Sequence, residues 1–246
     1  MDESIVRHCA EMNRCNQRGG RMLSIIDLLD AGTLDLDLAA YLMARISRGA
    51  SFMVGARPGG LGKTTVMCAL LNLIPADVEV VAATPEVVRR AARAGSLPRN
   101  CYVCHELGSG RYFAYLWGAD LRAYCSLAAM GHVLATNLHA DDLDDAQEQI
   151  CAENLVPISD FNAFHLLVFL RMDRGLRTAR RRIDKVYVSD GVSPHTLVFD
   201  ASKRTNRLPG DSWTARCRAF LNETLQTGVR TIEQTRERVV AFLARP

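Results

Sequence analysis

Ser51-Phe-Met-Val-Gly55-Ala-Arg57-Pro58-Gly59-Gly60-Leu61-Gly62-Lys63-Thr64-Thr65 runs from a short apolar segment through a glycine-rich turn into Gly-Lys-Thr-Thr. That end opens a segment, Val66 to Leu73, with helical spacing. Strand, loop and helix N-terminus in that order are the layout of a phosphate-binding loop. Glycines let backbone N–H groups curl around phosphate oxygens, and the helix start adds unpaired donors and partial positive charge. In such a loop Gly59, Gly60, Leu61, Gly62, Lys63, Thr64 and Thr65 bind the nucleotide. Lys63 reaches the β- and γ-phosphates, and the Thr64 hydroxyl sits on Mg²⁺. The pattern G-x-x-x-x-G-K-[ST] would place its first glycine where this chain has Arg57. A left-handed backbone at Arg57 costs roughly 1–2 kcal/mol. The alternative is a reshaped loop in which Gly55 takes the first glycine's role. A glycine-rich turn that binds nothing is the plain competing reading.

Upstream, Arg21 to Asp30 and Asp35 to Ser47 have helical apolar spacing, the second with Leu38, Tyr41, Leu42 and Ile46 on one face. Residues 1–20 read as a loose leader or short helix. Downstream, Val78 to Ala83 reads as a buried strand, and Thr84-Pro85-Glu86 starts a helix that Gly95 and Pro98 end. Cys101 to Leu107 is a third strand and Tyr115 to Met130 a helix. His132 to Leu138 is a fourth strand, an acidic helix follows to about Glu153, and Phe164 to Leu170 is a fifth strand. Arg177 to Ser189 and His195 to Asp200 form a β-hairpin turning at Asp190-Gly191. Trp213 to Leu225 and Ile232 to Leu243 are amphipathic helices. Strands alternating with helices, apolar nearly throughout, predict an α/β fold with a mostly parallel sheet covered on both faces. We expect a helical lead-in over residues 1–50 and a core over 51–246, with C-terminal helices from about residue 211.

The 246 residues are 48% hydrophobic and 23% charged, with a net charge of +3. That composition supports a buried core and no global field for nucleic acid or membranes. Neither a signal peptide nor a membrane-spanning run is evident, so a soluble cytoplasmic protein is expected. Of eight cysteines, only Cys101-Tyr-Val-Cys104-His105 has paired spacing. It copies a haem-attachment, redox or half-zinc motif. No second pair completes a zinc site, and strand alternation sends Cys101 and Tyr102 to opposite faces.

Glu106 closes the third strand, where an acidic residue beside a phosphate loop holds Mg²⁺ or polarises the attacking water. His139 ends the fourth strand. Ligand sites in open parallel sheets gather at carboxyl ends of strands, so His139, with Thr136 or Asn137, can position the γ-phosphate. Glu106 and His139 are the candidate catalytic residues, and Thr64 with Glu106 the candidate Mg²⁺ ligands, the latter directly or through water. Asp141, Asp142, Asp144 and Asp145 suit a helix N-terminus rather than a metal site. Arg171, Arg174, Arg177, Arg180, Arg181, Arg182 and Lys185 read as a solvated hairpin edge, with a subunit contact or a nucleic-acid patch as alternatives. Tyr112, Phe113, Tyr115 and Trp117 read as core or interface.

Ser24-Ile-Ile-Asp-Leu-Leu-Asp-Ala-Gly-Thr-Leu34, the Ala39-Ala-Tyr-Leu helix, the loop and Leu71-Asn-Leu-Ile-Pro75 follow one another in order. His105-Glu106 and Met130-Gly-His-Val-Leu-Ala-Thr-Asn-Leu-His-Ala140 come next. This succession over about residues 22–200 resembles the secretion ATPase superfamily of type II and type IV secretion and type IV pili. It lies closest to the tight-adherence pilus and archaeal branches. Gly131-His132 to His139-Ala140 looks like that family's histidine box; Glu106 falls on its Walker B glutamate and Lys63-Thr64 on its Walker A. The resemblance implies a RecA-like core that hydrolyses ATP with Mg²⁺ in a hexameric homo-oligomeric ring. It further implies work at a membrane-embedded secretion or pilus platform, peripheral to the inner face of the membrane, with no nucleic-acid partner. Departures are Arg57, Leu61 in place of a small polar residue, and His105 where glycine is usual. Glu86 stands alone for the acidic box, and the N-terminal domain is reduced to the first fifty residues. They favour, as an alternative, a degenerate nucleotide-binding or scaffold subunit. The loop is also similar to that of ParA/MinD-type partitioning ATPases, whose signature lysine is replaced by Pro58.

Overall fold

The computed structural model describes residues 2–16, 19–57, 59–94, 98–174, 179–203 and 205–245. Helices α1 (Glu3–Arg14), α2 (Ile25–Asp30) and α3 (Leu36–Ile46) lead into strand β1 (Phe52–Gly55) and helix α4 (Lys63–Leu71). Then come β2 (Glu79–Ala82), α5 (Pro85–Arg93), β3 (Asn100–Leu107), β4 (Tyr115–Leu116), α6 (Ala119–Ser126) and β5 (Val133–Leu138). Next are α7 (Leu143–Gln147), α8 (Ile158–Asn162), β6 (Leu166–Arg174), β7 (Ala179–Val188), β8 (Thr196–Asp200) and β9 (Thr205–Asn206). Two helices, α9 (Ser212–Leu225) and α10 (Ile232–Leu243), close the chain.

The sheet order is β2-β3-β5-β1-β6-β7-β8-β9, with β4 paired to β3. β2, β3, β5, β1 and β6 run parallel, and β6 through β9 are antiparallel. This is the expected α/β fold with a mostly parallel sheet. Pleating sorts the side chains strictly. Phe52, Val54, Cys101, Val103, Val133, Ala135, Leu166 and Val168 face one core with α1–α4, α9 and α10. Met53, Tyr102, Cys104, Leu134, Leu167 and Phe169 face the other, under α5, α6 and α8. Strands buried on both faces explain why the central segments are apolar at almost every position.

Several expectations are decided or corrected. Of the two readings of residues 1–20, the helix is found, over residues 3–14, capped by Asp2 and burying Ile5, His8, Cys9 and Met12. β2 is an edge strand with Glu79 exposed, not a buried one. Tyr115 to Met130 is not one helix: Tyr115–Leu116 pair with β3, and Gly118 (φ 59°) breaks the chain before α6. The expected acidic helix keeps its start but turns π-helical over Glu148–Glu153. β7 pairs with β8 only over residues 185–188, so Arg180, Arg181 and Arg182 lie on an exposed stretch of β7 that pairs with β6 alone, the hairpin edge expected for the basic run. Gly95 and Arg177 lie outside the described residues. Among the described residues no helix is long and apolar enough to cross a membrane.

Candidate functional site

β1, β3 and β5 lie side by side, so their carboxyl ends deliver the glycine loop, Glu106 and His139 to one place. A cavity of about 420 Å³ opens there, lined by the loop from Gly59 to Thr65 together with Glu106 and His139. Gly59 to Thr65, Glu106 and His139 therefore border one space, whereas Thr136 and Asn137 do not line it.

The loop's left-handed steps fall on Gly60 (φ 85°) and Gly62 (φ 95°), and Arg57 is not in that region. The strain feared at Arg57 is thus absent. Its backbone N–H donates to Asp141 (2.7 Å), and its guanidinium grips Asp145 through two 2.9 Å bonds. The loop's first half is tied to the chain around α7 by an ion pair where a glycine usually supplies conformational freedom. Gly55 is required for another reason: a Cβ there would lie 2.6 Å from the Phe169 ring and 2.7 Å from the Ala140 carbonyl. The first hydrogen bond of α4 runs from Val66 N–H to the Gly62 carbonyl (2.9 Å), leaving the first-turn amides outside the helical ladder.

Lys63 is 7% exposed although it is a lysine. Its ammonium donates to the Ala56 carbonyl (3.1 Å) and meets the His139 ring nitrogens at 3.2 and 3.3 Å. Glu106 stands 3.7 Å from Lys63 and 3.7 Å from His139 Nε2. His139 Nδ1 lies 2.7 Å from the Arg57 carbonyl, close enough for Nδ1–H to donate there.

Glu106 reaches this position through a bulge. The β3–β5 register shifts between Cys104 and Leu107, which inserts an extra residue at His105–Glu106 and turns the carboxylate into the cavity. Asn137 donates to the freed His105 carbonyl (2.8 Å) and approaches the Thr64 hydroxyl at 3.5 Å. Burial raises the Glu106 carboxyl above its ordinary range against the pull of Lys63 and His139. Desolvation outweighs attraction here. Glu106 Oε1, His105 Nδ1 and Asn137 Oδ1 are all buried without a hydrogen-bond partner. Buried polar atoms normally find partners, and two of these residues, His105 and Glu106, line the cavity, with Asn137 behind Thr64.

Thr136 is buried, and its hydroxyl donates to the Asn137 carbonyl instead of reaching the loop. Asp142 caps α7, and no group of three or more metal-binding side chains occurs among the described residues. Cys101 and Cys104 are fully buried, unpaired and on opposite faces of β3, which removes the haem, redox and zinc readings. Lining residues that the sequence did not assign to the site include Tyr115, Arg181, Arg21 and Cys15. Hydrogen bonding to Cys68 leads the effects that draw the Cys15 thiol down to about 6, with His105 adding to it. Nothing local in the sequence couples Cys15 to residues so distant along the chain.

No family model matches the chain. It is similar to the cytochrome c biogenesis ATP-binding export protein CcmA of Cereibacter sphaeroides. They are 34% identical over 100 residues, 39% of this chain and 46% of that protein. Among solved structures it is similar to the VirB11 ATPase of the Brucella suis type IV secretion system, solved with sulphate. Identity is 20%, coverage 66% of this chain and 54% of that one, and the TM-score 0.45. The Legionella pneumophila ATPase DotB aligns at 17% identity, 81% and 57% coverage and TM-score 0.44. The Yersinia pseudotuberculosis ATPase DotB aligns at 10%, 87% and 62%, and 0.47. The chain thus spans about half to three-fifths of the length of these proteins.

Proposed function

We propose that this chain binds ATP with Mg²⁺ in the cavity at the strand ends and hydrolyses it as a motor subunit of the secretion type. The observation that carries this reading is the buried Lys63 amine held between His139 and Glu106, above a loop whose left-handed steps sit on Gly60 and Gly62. The partial match to an ATP-binding export protein supports the nucleotide class.

The residues fit a nucleotide and its metal. First-turn amides of α4 and the Lys63 ammonium receive the phosphates. The Thr64 hydroxyl and the partnerless Glu106 oxygen are the oxygen donors that Mg²⁺ prefers, the carboxylate directly or through water. When bound, Mg²⁺ neutralises charge developing on the transferred phosphoryl group. Glu106 takes a proton from the attacking water, and its raised pKa makes it a better base than an exposed carboxylate. His139 joins loop to carboxylate, through Arg57 on one side and Glu106 on the other, and so registers whether Lys63 has moved onto phosphate. The resemblance further implies a hexameric ring at a membrane-embedded platform, a helical lead-in over residues 1–50 serving the core over 51–246, and cytoplasmic placement.

Steady-state hydrolysis with Lys63→Ala and Glu106→Gln tests the assignment. Lys63→Ala is expected to abolish turnover and Glu106→Gln to lower it about 10²–10⁴-fold. Turnover indifferent to both would sink the reading. Lys63-dependent ATP binding without turnover would identify a degenerate scaffold subunit.

A further inference from the structure

The basic run on the β6–β7 hairpin divides by face. Arg171 and Arg182 share the face opposite α4, and both are bound to carboxylates. Arg171 pairs with Asp173 and Asp184 at 2.9 Å each, and Arg182 with Asp173 at 3.3 Å. Alternation turns Arg181 the other way, to the face of Ile183, whose side chain is buried in the core that holds α4. Ile183 N–H donates to the Thr33 carbonyl at 2.9 Å, which pins the strand two residues beyond Arg181. The outcome is proximity to the glycine loop. A Cβ at Gly62 would lie 3.4 Å from Arg181 Cδ and 4.0 Å from its Nε.

Charge counting around the cavity gives this placement meaning. Lys63 and Glu106 offset each other at 3.7 Å. Arg21, also on the wall, is spent on Asp27 through bonds of 2.6 and 3.0 Å. Arg181 lines the same cavity and makes no hydrogen bond or ion pair with any described residue. Without it the charged wall is formally neutral, a poor host for a polyphosphate.

We propose that Arg181 is a phosphate ligand, supplied to the nucleotide by the chain's own β6–β7 hairpin and closing over the last glycine of the loop. The inference rests on reading the cavity as a nucleoside polyphosphate site. It assigns the net positive charge to Arg181 instead of Lys63. A guanidinium suits the task because its planar fork donates to two phosphate oxygens at once, which an ammonium cannot match.

Equilibrium titration of the full chain with MgATP and MgADP tests it, comparing wild type, Arg181→Ala, Arg181→Lys, Arg182→Ala and Lys63→Ala. Thermal unfolding confirms that each variant is folded. Arg181→Ala is expected to weaken both nucleotides about tenfold, the loss of one charge-assisted contact. Arg181→Lys should recover part of that loss. Arg182→Ala, whose side chain is on the other face, should bind as wild type does. If Lys63→Ala weakens binding while Arg181→Ala stays within about twofold of wild type, Arg181 is a bystander and the nucleotide site stands. If wild type binds neither nucleotide, or Lys63→Ala changes nothing, the site reading falls and takes this inference with it.

Discussion

β5 carries a histidine just beyond each end, and the two have opposite surroundings. At the amino end His132 is 5% exposed, and its Nδ1 accepts the Asn100 N–H at 3.2 Å. Its ring meets Tyr102 edge-on at 5.1 Å. Burial, helped by Arg99, lowers its pKa, so it stays neutral and acts as a fixed acceptor. At the carboxyl end the His139 side chain is 49% exposed and touches Lys63, Glu106 and the Arg57 carbonyl. The contrast extends to the whole sheet. At the amino ends Arg99 donates to the Gly131 and Gly49 carbonyls, Ser51 N–H to His165, and Leu134 N–H to the Ser51 hydroxyl. Among the described residues Arg45 Nε, Asn72 Oδ1 and His8 Nε2 are partnerless atoms toward that side. At the carboxyl ends Glu106, His105 and Asn137 each keep one buried atom without a partner. The difference is that two of the partnerless residues at the carboxyl ends, His105 and Glu106, line an open cavity.

The sharpest way to break this comparison is at the loop. Lys63→Ala should reduce MgATP affinity by about a hundredfold or more, since an ammonium on two phosphates replaces more than one charge-assisted bond. Isothermal titration measures it. Glu106→Gln comes next: turnover should fall about 10²–10⁴-fold, the range for a lost general base, with affinity nearly unchanged. Its melting temperature should hold or rise, because the amide removes a buried charge whose desolvation already outweighs its attractions.

The two histidines then separate function from stability. His139→Ala should lower turnover and leave the melting temperature close to wild type. His132→Ala should cost about 1–3 kcal/mol of stability, because the Asn100 N–H loses its acceptor, and leave MgATP affinity intact. Chemical denaturation alongside hydrolysis assays reads both. The reverse pattern would exchange the roles assigned to the two ends.

A pH profile sharpens the Glu106 assignment. Its folded pKa is raised above 4.5, so the folded chain holds that proton more firmly than the unfolded chain. The resulting stability is fully present below the ordinary carboxylate pKa and is lost as pH rises through the raised value. Turnover runs the other way, since the base form fills over the same interval. The acid limb of kcat/KM, which reports the free enzyme, should therefore lie above the ordinary carboxylate value and disappear in Glu106→Gln. The smallest effect belongs to Arg57→Ala. Its bond to Asp145 is solvent-exposed, and such pairs contribute little, so affinity should change no more than a few-fold.

The sheet was legible because central parallel strands are apolar on both faces, so Phe52–Val54, Cys101–Leu107 and Val133–Leu138 stand out. The site was legible because its residues close consecutive strands. What escaped depends on contacts distant in sequence. The buried stripe of α1, Ile5, His8, Cys9 and Met12, is buried by packing on β2 and α10, elements far along the chain. The break at Gly118 depends on Asn154, whose side chain accepts the Gly118 N–H at 2.6 Å. Arg57 looked like a damaged glycine because Asp145, which gives it a purpose, lies far along the chain. Arg181 was one cation among many until strand pleating set it apart from Arg182.

The most direct test of the central claim, that the carboxyl end of the sheet is an ATP site, is equilibrium binding of MgATP to wild type and Lys63→Ala. The account predicts saturable one-site binding by wild type that is lost in Lys63→Ala and retained in His132→Ala. Binding of equal strength in Lys63→Ala, or none by wild type at millimolar MgATP, would contradict it.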